Sequence, residues 1–201
     1  MPKMKISSII IVNISIDSLR DEEVAMLESD KYKIAQCLIQ SVESKVPVDK
    51  ITCEFIYTWI KYCTDRDKDC LDIWEIVLNN YYPTTRPILF RATDTINNGK
   101  IESYTGRLLM AERMLRQCDE NATLIICDTR DTIYEKVNER KGSYRHTFFP
   151  LVEVLKNESM LEKSLFTKRF LEEYTGEDEY IMKTEIERFS VYKHIDCGDE
   201  D

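Results

Sequence analysis

The chain has 201 residues, 43% hydrophobic and 32% charged, the composition of a soluble globular protein with one sizeable core and no room for two large domains. A formal charge of -9 opposes binding to nucleic acid or to an anionic membrane, so proteins are the expected partners. The seven cysteines form no C-x-x-C pair, no secretory leader is evident, and the apolar run Ile9 to Val12 falls far short of the roughly 20 residues of a spanning helix. Reduced thiols in a cytoplasmic or nuclear setting, with no membrane segment, are expected.

Ile6 to Ile16 is rich in β-branched residues and predicts the first strand or strands. Ser29 or Asp30 then caps a helix whose buried face runs through Tyr32, Ile34, Ala35, Leu38, Ile39 and Val42. Val46-Pro47-Val48 reads as a short sheet edge, because proline lacks the N–H that a central strand needs. With Asp49 as N-cap, Ile51, Phe55 and Trp59 alternate with Ile56, Ile60 and Cys63 to make one wide apolar stripe, an amphipathic helix. Thr64 to Asp69 turns the chain, and Leu71 to Leu78 is a short apolar segment that periodicity alone does not assign. Asn79 to Gly99, with Pro83, Pro87 and Asn97-Asn98-Gly99, reads as a loop.

Between Lys100 and Val137 the positions Tyr104, Leu108, Ala111, Leu115 and Cys118 hold helical spacing. Asp119-Glu120-Asn121 makes a turn, and Ala122, Ile125, Ile126, Ile133 and Val137 resume the spacing. Two antiparallel helices are the expectation, with Thr123 to Cys127 as a buried strand the competing reading. Arg140 to Ser143 is a helix stop and hinge. Leu151, Val154 and Leu155, then Leu161, Leu165, Phe166, Phe170 and Leu171, repeat at helical spacing beyond it. Thr175 is placed as an N-cap, with the acidic Glu177 to Glu179 as the first turn of a further helix.

Three ordered stretches carry a resemblance. They are the Val-Pro edge with its capped helix and Tyr62-Cys63-Thr64 close; Leu108-Leu109-Met110-Ala111 with Cys127-Asp128-Thr129 and Ile133; and Phe170 to Glu179 followed by Met182 to Phe189. Together they resemble the Skp family, the S-phase-kinase-associated adaptors of SCF ubiquitin ligases, whose BTB/POZ pattern Elongin C shares. The resemblance implies an α/β protein, a BTB/POZ-like small sheet with packed helices over residues 1–142, with an insertion near 79–99. A C-terminal helical extension with an acidic tail would occupy 143–201. It further implies a non-catalytic adaptor bridging a cullin and F-box proteins, with neither metal nor cofactor. By the same resemblance Ile133, Tyr174, Met182, Ile186 and Phe189 would face an F-box. Arg113 and Met114 stand where cullin-binding members tend to carry Asn-Tyr, so weak or altered cullin binding is expected.

The residues themselves point to little catalysis. His146 and His194 are the only histidines and read as surface groups, and Cys63 and Cys70 lack the second close pair a zinc site needs. Five glycines form no phosphate-cradling loop, and the carboxylates read as solvated runs. A BTB-fold protein that self-associates without ligase function is one alternative, and a small Cys-His enzyme is the other.

Overall fold

A computed structural model describes residues 26–62, 68–118, 122–133 and 144–193. Three helices open the described chain: α1 (Glu28–Glu43), α2 (Lys50–Lys61) and α3 (Lys68–Asn80). The expected stripe of α1 is buried through Ile34, Ala35, Leu38 and Ile39, but Tyr32 is 53% exposed, and Leu27 rather than Ser29 or Asp30 takes the N-cap position. At α2 the expected cap is in place, with Asp49 accepting from the Thr52 N–H at 2.7 Å. The unassigned Leu71 to Leu78 lies within α3, which buries Ile73, Trp74, Val77 and Leu78. Lys31, itself buried, ties α1 to α3 through Asp69 at 2.7 Å and Asp72 at 2.6 Å.

The rest of the described chain builds an antiparallel sheet with short helices between its strands. In chain order come β1 (Ile88–Thr93), β2 (Ile101–Thr105), α4 (Leu108–Leu115), β3 (Thr123–Asp128), β4 (Phe148–Phe149), α5 (Leu151–Leu155), α6 (Lys168–Thr175), β5 (Glu179–Lys183) and β6 (Ser190–Lys193). The six strands lie in the order β4-β5-β2-β1-β3-β6. β1 pairs with β3 along its whole length, and β2 with β5 from Ile101↔Lys183 to Thr105↔Glu179. The central neighbours β1 and β2 share one register position, Phe90↔Thr105. The sheet therefore consists of two three-stranded halves that part beyond that point.

Alternation along the strands gives each face its own core. Phe149 and Ile181 join Ile101 and the helices in the larger cluster, where Trp74 meets Phe55, Trp59 and Phe149 at ring distances of 5.3, 5.4 and 5.6 Å. Their neighbours Phe148 and Met182 face the other way and pack with Leu89, Tyr104, Ile125 and Cys127. Among the described residues no helix is long and apolar enough to cross a membrane.

Several expectations are corrected. Val46-Pro47-Val48 is a linker outside the sheet. Inside the expected loop 79–99 lies β1, a strand of the sheet centre; Pro83 and Pro87 both precede it and so do not interrupt it. Tyr104 belongs to β2, not to a helix, and Gly106 separates that strand from α4. Thr123 to Asp128 is a strand, the competing reading, because β1 and β6 satisfy its backbone on both sides. The expected helical extension is a mixed segment: β4, β5 and β6 enter the same sheet as β1 to β3, so the sheet runs across the 142/143 boundary. Thr175 ends α6, whose N-cap is Thr167, and the strand β5 follows in place of the expected helix; pairing of Tyr180, Ile181 and Met182 with β2 outweighs the local helical pattern. His146 is 2% exposed rather than on the surface, because it runs into β4 beneath Phe189, with ring centroids 5.2 Å apart. The expected strands at 6–16, the hinge at 140–143, Val137, Cys63 and His194 lie outside the described residues.

Candidate functional site

Where the two halves of the sheet part, a cleft of about 680 Å³ opens beneath the helical layer. Phe90 and Arg91 of β1 line it with Glu102, Ser103, Tyr104 and Thr105 of β2. Trp59 and Glu75 reach it from α2 and α3, Met114 from α4, Tyr174 from α6, Glu177 from the turn after α6, and Glu179 from the start of β5.

Arg91 spans the gap that ladder hydrogen bonds would otherwise close. Its Nη1 donates to the Ser103 carbonyl at 2.7 Å and its Nη2 to Glu102 Oε1 at 3.0 Å. Glu102, buried, also accepts from Asn97 Nδ2 at 3.1 Å and from Thr184 Oγ1 at 2.8 Å. Glu102 thus anchors the guanidinium, since an ion pair this enclosed stands only when its oxygens are saturated. The Arg91 Nε–H, also buried, has no hydrogen-bond partner among the described residues. A buried donor left unpaired costs about 1–3 kcal/mol, which an acceptor on a ligand would recover.

The two acidic residues are set by the turn that ends α6. Thr105 Oγ1 donates to the Glu177 carbonyl at 2.6 Å and the Gly106 N–H to the Asp178 carbonyl at 3.1 Å, pinning this turn to the end of β2. Asp178 itself has φ 54°, the left-handed conformation that reverses the chain. Gly106 permits the approach, because a Cβ there would run into the Asp178 carboxylate and lie 3.0 Å from Tyr180 Cε2. Two residues apart around this turn, Glu177 and Glu179 differ in environment. Glu179 is 8% exposed, stands opposite Thr105, and accepts from the Trp59 indole Nε1 at 3.2 Å. Burial, followed by the charges of Glu179 and Glu173, pushes the Glu177 carboxyl up to about 7, against a smaller opposing pull from Arg113.

A carboxylate held by an indole N–H, a second carboxyl that titrates near neutrality and an anchored guanidinium are parts suited to proton transfer and to stabilising developing charge. The lining has four carboxylates, Glu75, Glu102, Glu177 and Glu179, against the cations Arg91 and Lys100, with the aromatic rings of Trp59, Phe90, Tyr104 and Tyr174 around them. Among the described residues no cluster of three His, Cys, Asp or Glu could hold a metal ion.

The residues singled out from the sequence are dispersed. Tyr174 and Met114 line the cleft, and Lys61 Nζ donates to the Tyr174 hydroxyl at 3.1 Å. Arg113 is exposed on α4. Met182, 1% exposed, lies in the smaller core, with Phe189 half-buried against it on the sheet face opposite Tyr174's cluster. Ile133 and Ile186 are half-buried. Arg91, Glu177, Glu179 and the role of Trp59 escaped the sequence reading. One signal for them exists: Arg91 interrupts the run Ile88-Leu89-Phe90 and Glu179 opens Tyr180-Ile181-Met182, charges at the margins of strand-like apolar segments. Comparison with family models, with curated proteins and with solved structures finds no match for the chain.

Proposed function

We propose that the chain is an enzyme that cleaves the N-glycosidic bond of a pyridinium nucleotide, passing the ribosyl group to water or to a nucleophilic side chain. The observation that carries this reading is the Glu177/Glu179 pair, one carboxylate held by an indole N–H and the other carboxyl titrating near 7 beside it. Paired carboxyl groups of unlike environment are the equipment of glycosidic cleavage, whose transition state resembles an oxocarbenium ion. The cleft also suits a ligand of both charges: carboxylates and rings for a cationic planar base, Arg91 and Lys100 for its phosphates.

In this scheme the C1′–N bond breaks and its electron pair neutralises the pyridinium nitrogen, so the leaving base needs no proton. Glu179 stabilises the positive charge developing on the ribose. The attacking O–H group adds to C1′ and yields its proton to the ionised form of Glu177. Incubation with oxidised nicotinamide adenine dinucleotide should release nicotinamide, and Glu179→Gln should lower the rate by roughly 10²–10³-fold. No release by the parent protein, or unimpaired release by the variant, would sink the reading.

The adaptor role implied by the Skp resemblance is the second reading, and one observation favours it. Leu109 is 80% exposed on α4 beside Leu108 and Arg113, where the cullin contact was expected. Co-precipitation with a tagged cullin and a panel of F-box proteins tests it, and Leu109→Glu should abolish any capture made through this helix.

A further inference from the structure

We infer that Trp59, contributed by the helical layer, is a positioning residue that sets the orientation of the Glu179 carboxylate; this rests on the glycosyl-transfer reading of the cleft. The two residues stand 120 positions apart in the chain and meet through the indole N–H at 3.2 Å from Glu179 Oε1, in a buried contact. Trp59 is 2% exposed, and its ring meets Trp74 edge-on, with an interplanar angle of 67°. Trp74 is held in turn by Phe55 of α2 and Phe149 of β4. A ring so enclosed has one rotamer to occupy, so its N–H is a fixed point. The terminal torsion of a glutamate is broad and soft by comparison. The donor therefore selects the carboxylate orientation, and the helical layer acts on the cleft through it. Misplacing a reacting group by about 1 Å can cost roughly a hundredfold in rate, so the loss of this donor should appear in kcat.

The test compares the parent protein, Trp59→Phe, Glu179→Gln and the double variant, with oxidised nicotinamide adenine dinucleotide as substrate and nicotinamide release as readout. Trp59→Phe keeps an aromatic ring in the cluster and removes the N–H. It is expected to lower kcat by roughly ten- to a hundredfold with KM changed less than about twofold. In the Glu179→Gln background the same substitution should change the residual rate by less than about twofold, because the group it orients is already disabled. Equal losses in both backgrounds would show that Trp59 acts only through stability, and would overturn the inference. So would an unchanged kcat in Trp59→Phe while Glu179→Gln is inactive, an outcome that leaves the glycosyl-transfer reading standing. A parent protein without turnover, or a Glu179→Gln variant with full turnover, overturns that reading and the inference with it. A measurement independent of turnover is the Trp59 indole N–H resonance in protein labelled with ¹⁵N-tryptophan, identified by its disappearance in Trp59→Phe. It should move in Glu179→Gln, and an unmoved resonance would overturn the contact itself.

Discussion

At Glu177, burial and the neighbouring charges of Glu179 and Glu173 act in the same direction, so the folded protein holds this proton up to about pH 7, against 4.5 for an unperturbed carboxyl. Between those values the folded state binds more protons than the unfolded chain, and stability declines as pH rises. Glu177→Gln should flatten that decline and leave the variant more stable than the parent at pH 8, by on the order of 1 kcal/mol. Thermal melts at pH 5 and pH 8 check this, and a parent with no decline across the window contradicts it. His146 behaves oppositely. Burial lowers its pKa below 6.5, and its Nε2 has no hydrogen-bond partner among the described residues. The unfolded chain takes up that proton first, so the associated stability is present above pH 6.5 and is lost as pH falls. His146→Phe, placed against Phe189, should remove that acid loss. Urea denaturation of parent and variant at pH 5 and pH 7 would show the difference shrink at the higher pH.

Among the elements, α2 has two functions that can be separated. Its N-terminus depends on Asp49, and Asp49→Ala should cost about 1 kcal/mol, a fall of about 2–4 °C in melting temperature, without touching the cleft. Toward its other end it presents Trp59 to Glu179. The two-residue strand β4 is short but central to packing. Phe149, fully buried, meets Trp74 at 5.6 Å and Tyr81 at 5.1 Å and so joins the sheet to α3. Phe149→Ala should cost about 3–5 kcal/mol by urea denaturation, because so enclosed a site cannot collapse around the cavity. A loss below about 1 kcal/mol would mean that the helical layer is not held to the sheet through this ring.

For the molecule as a whole, the order β4-β5-β2-β1-β3-β6 interleaves early and late strands. Removal of everything after Gly142 would strip β5 from β2 and β6 from β3, and with α5 and α6 much of the larger core. Residues 1–142 alone should therefore fail to fold, seen as loss of the cooperative melt in circular dichroism. A fragment that melts cooperatively would restore the idea of an independent N-terminal domain. The same interleaving builds the cleft, since β1 contributes Arg91, β2 contributes Glu102, and the turn into β5 contributes Glu177 and Glu179.

What the sequence determined by itself was local: the stripe of Ile34, Ala35, Leu38 and Ile39, the Asp49 cap, and the face of Phe55 and Trp59, each written within one helix's own span. The strands were ambiguous because a short apolar run such as Thr123 to Cys127 suits a helix or a strand until its neighbours are known, and those neighbours are remote in the chain. An acidic run such as Glu177 to Glu179 likewise reads as solvated or as a helix start. Only the tertiary structure decided that Thr105 and Gly106 capture its backbone, that Trp59 meets Glu179, and that Arg91 bridges the parting strands. Helix faces follow from neighbours within a few residues, whereas strand pairing and the burial of a charge depend on groups brought together only by folding.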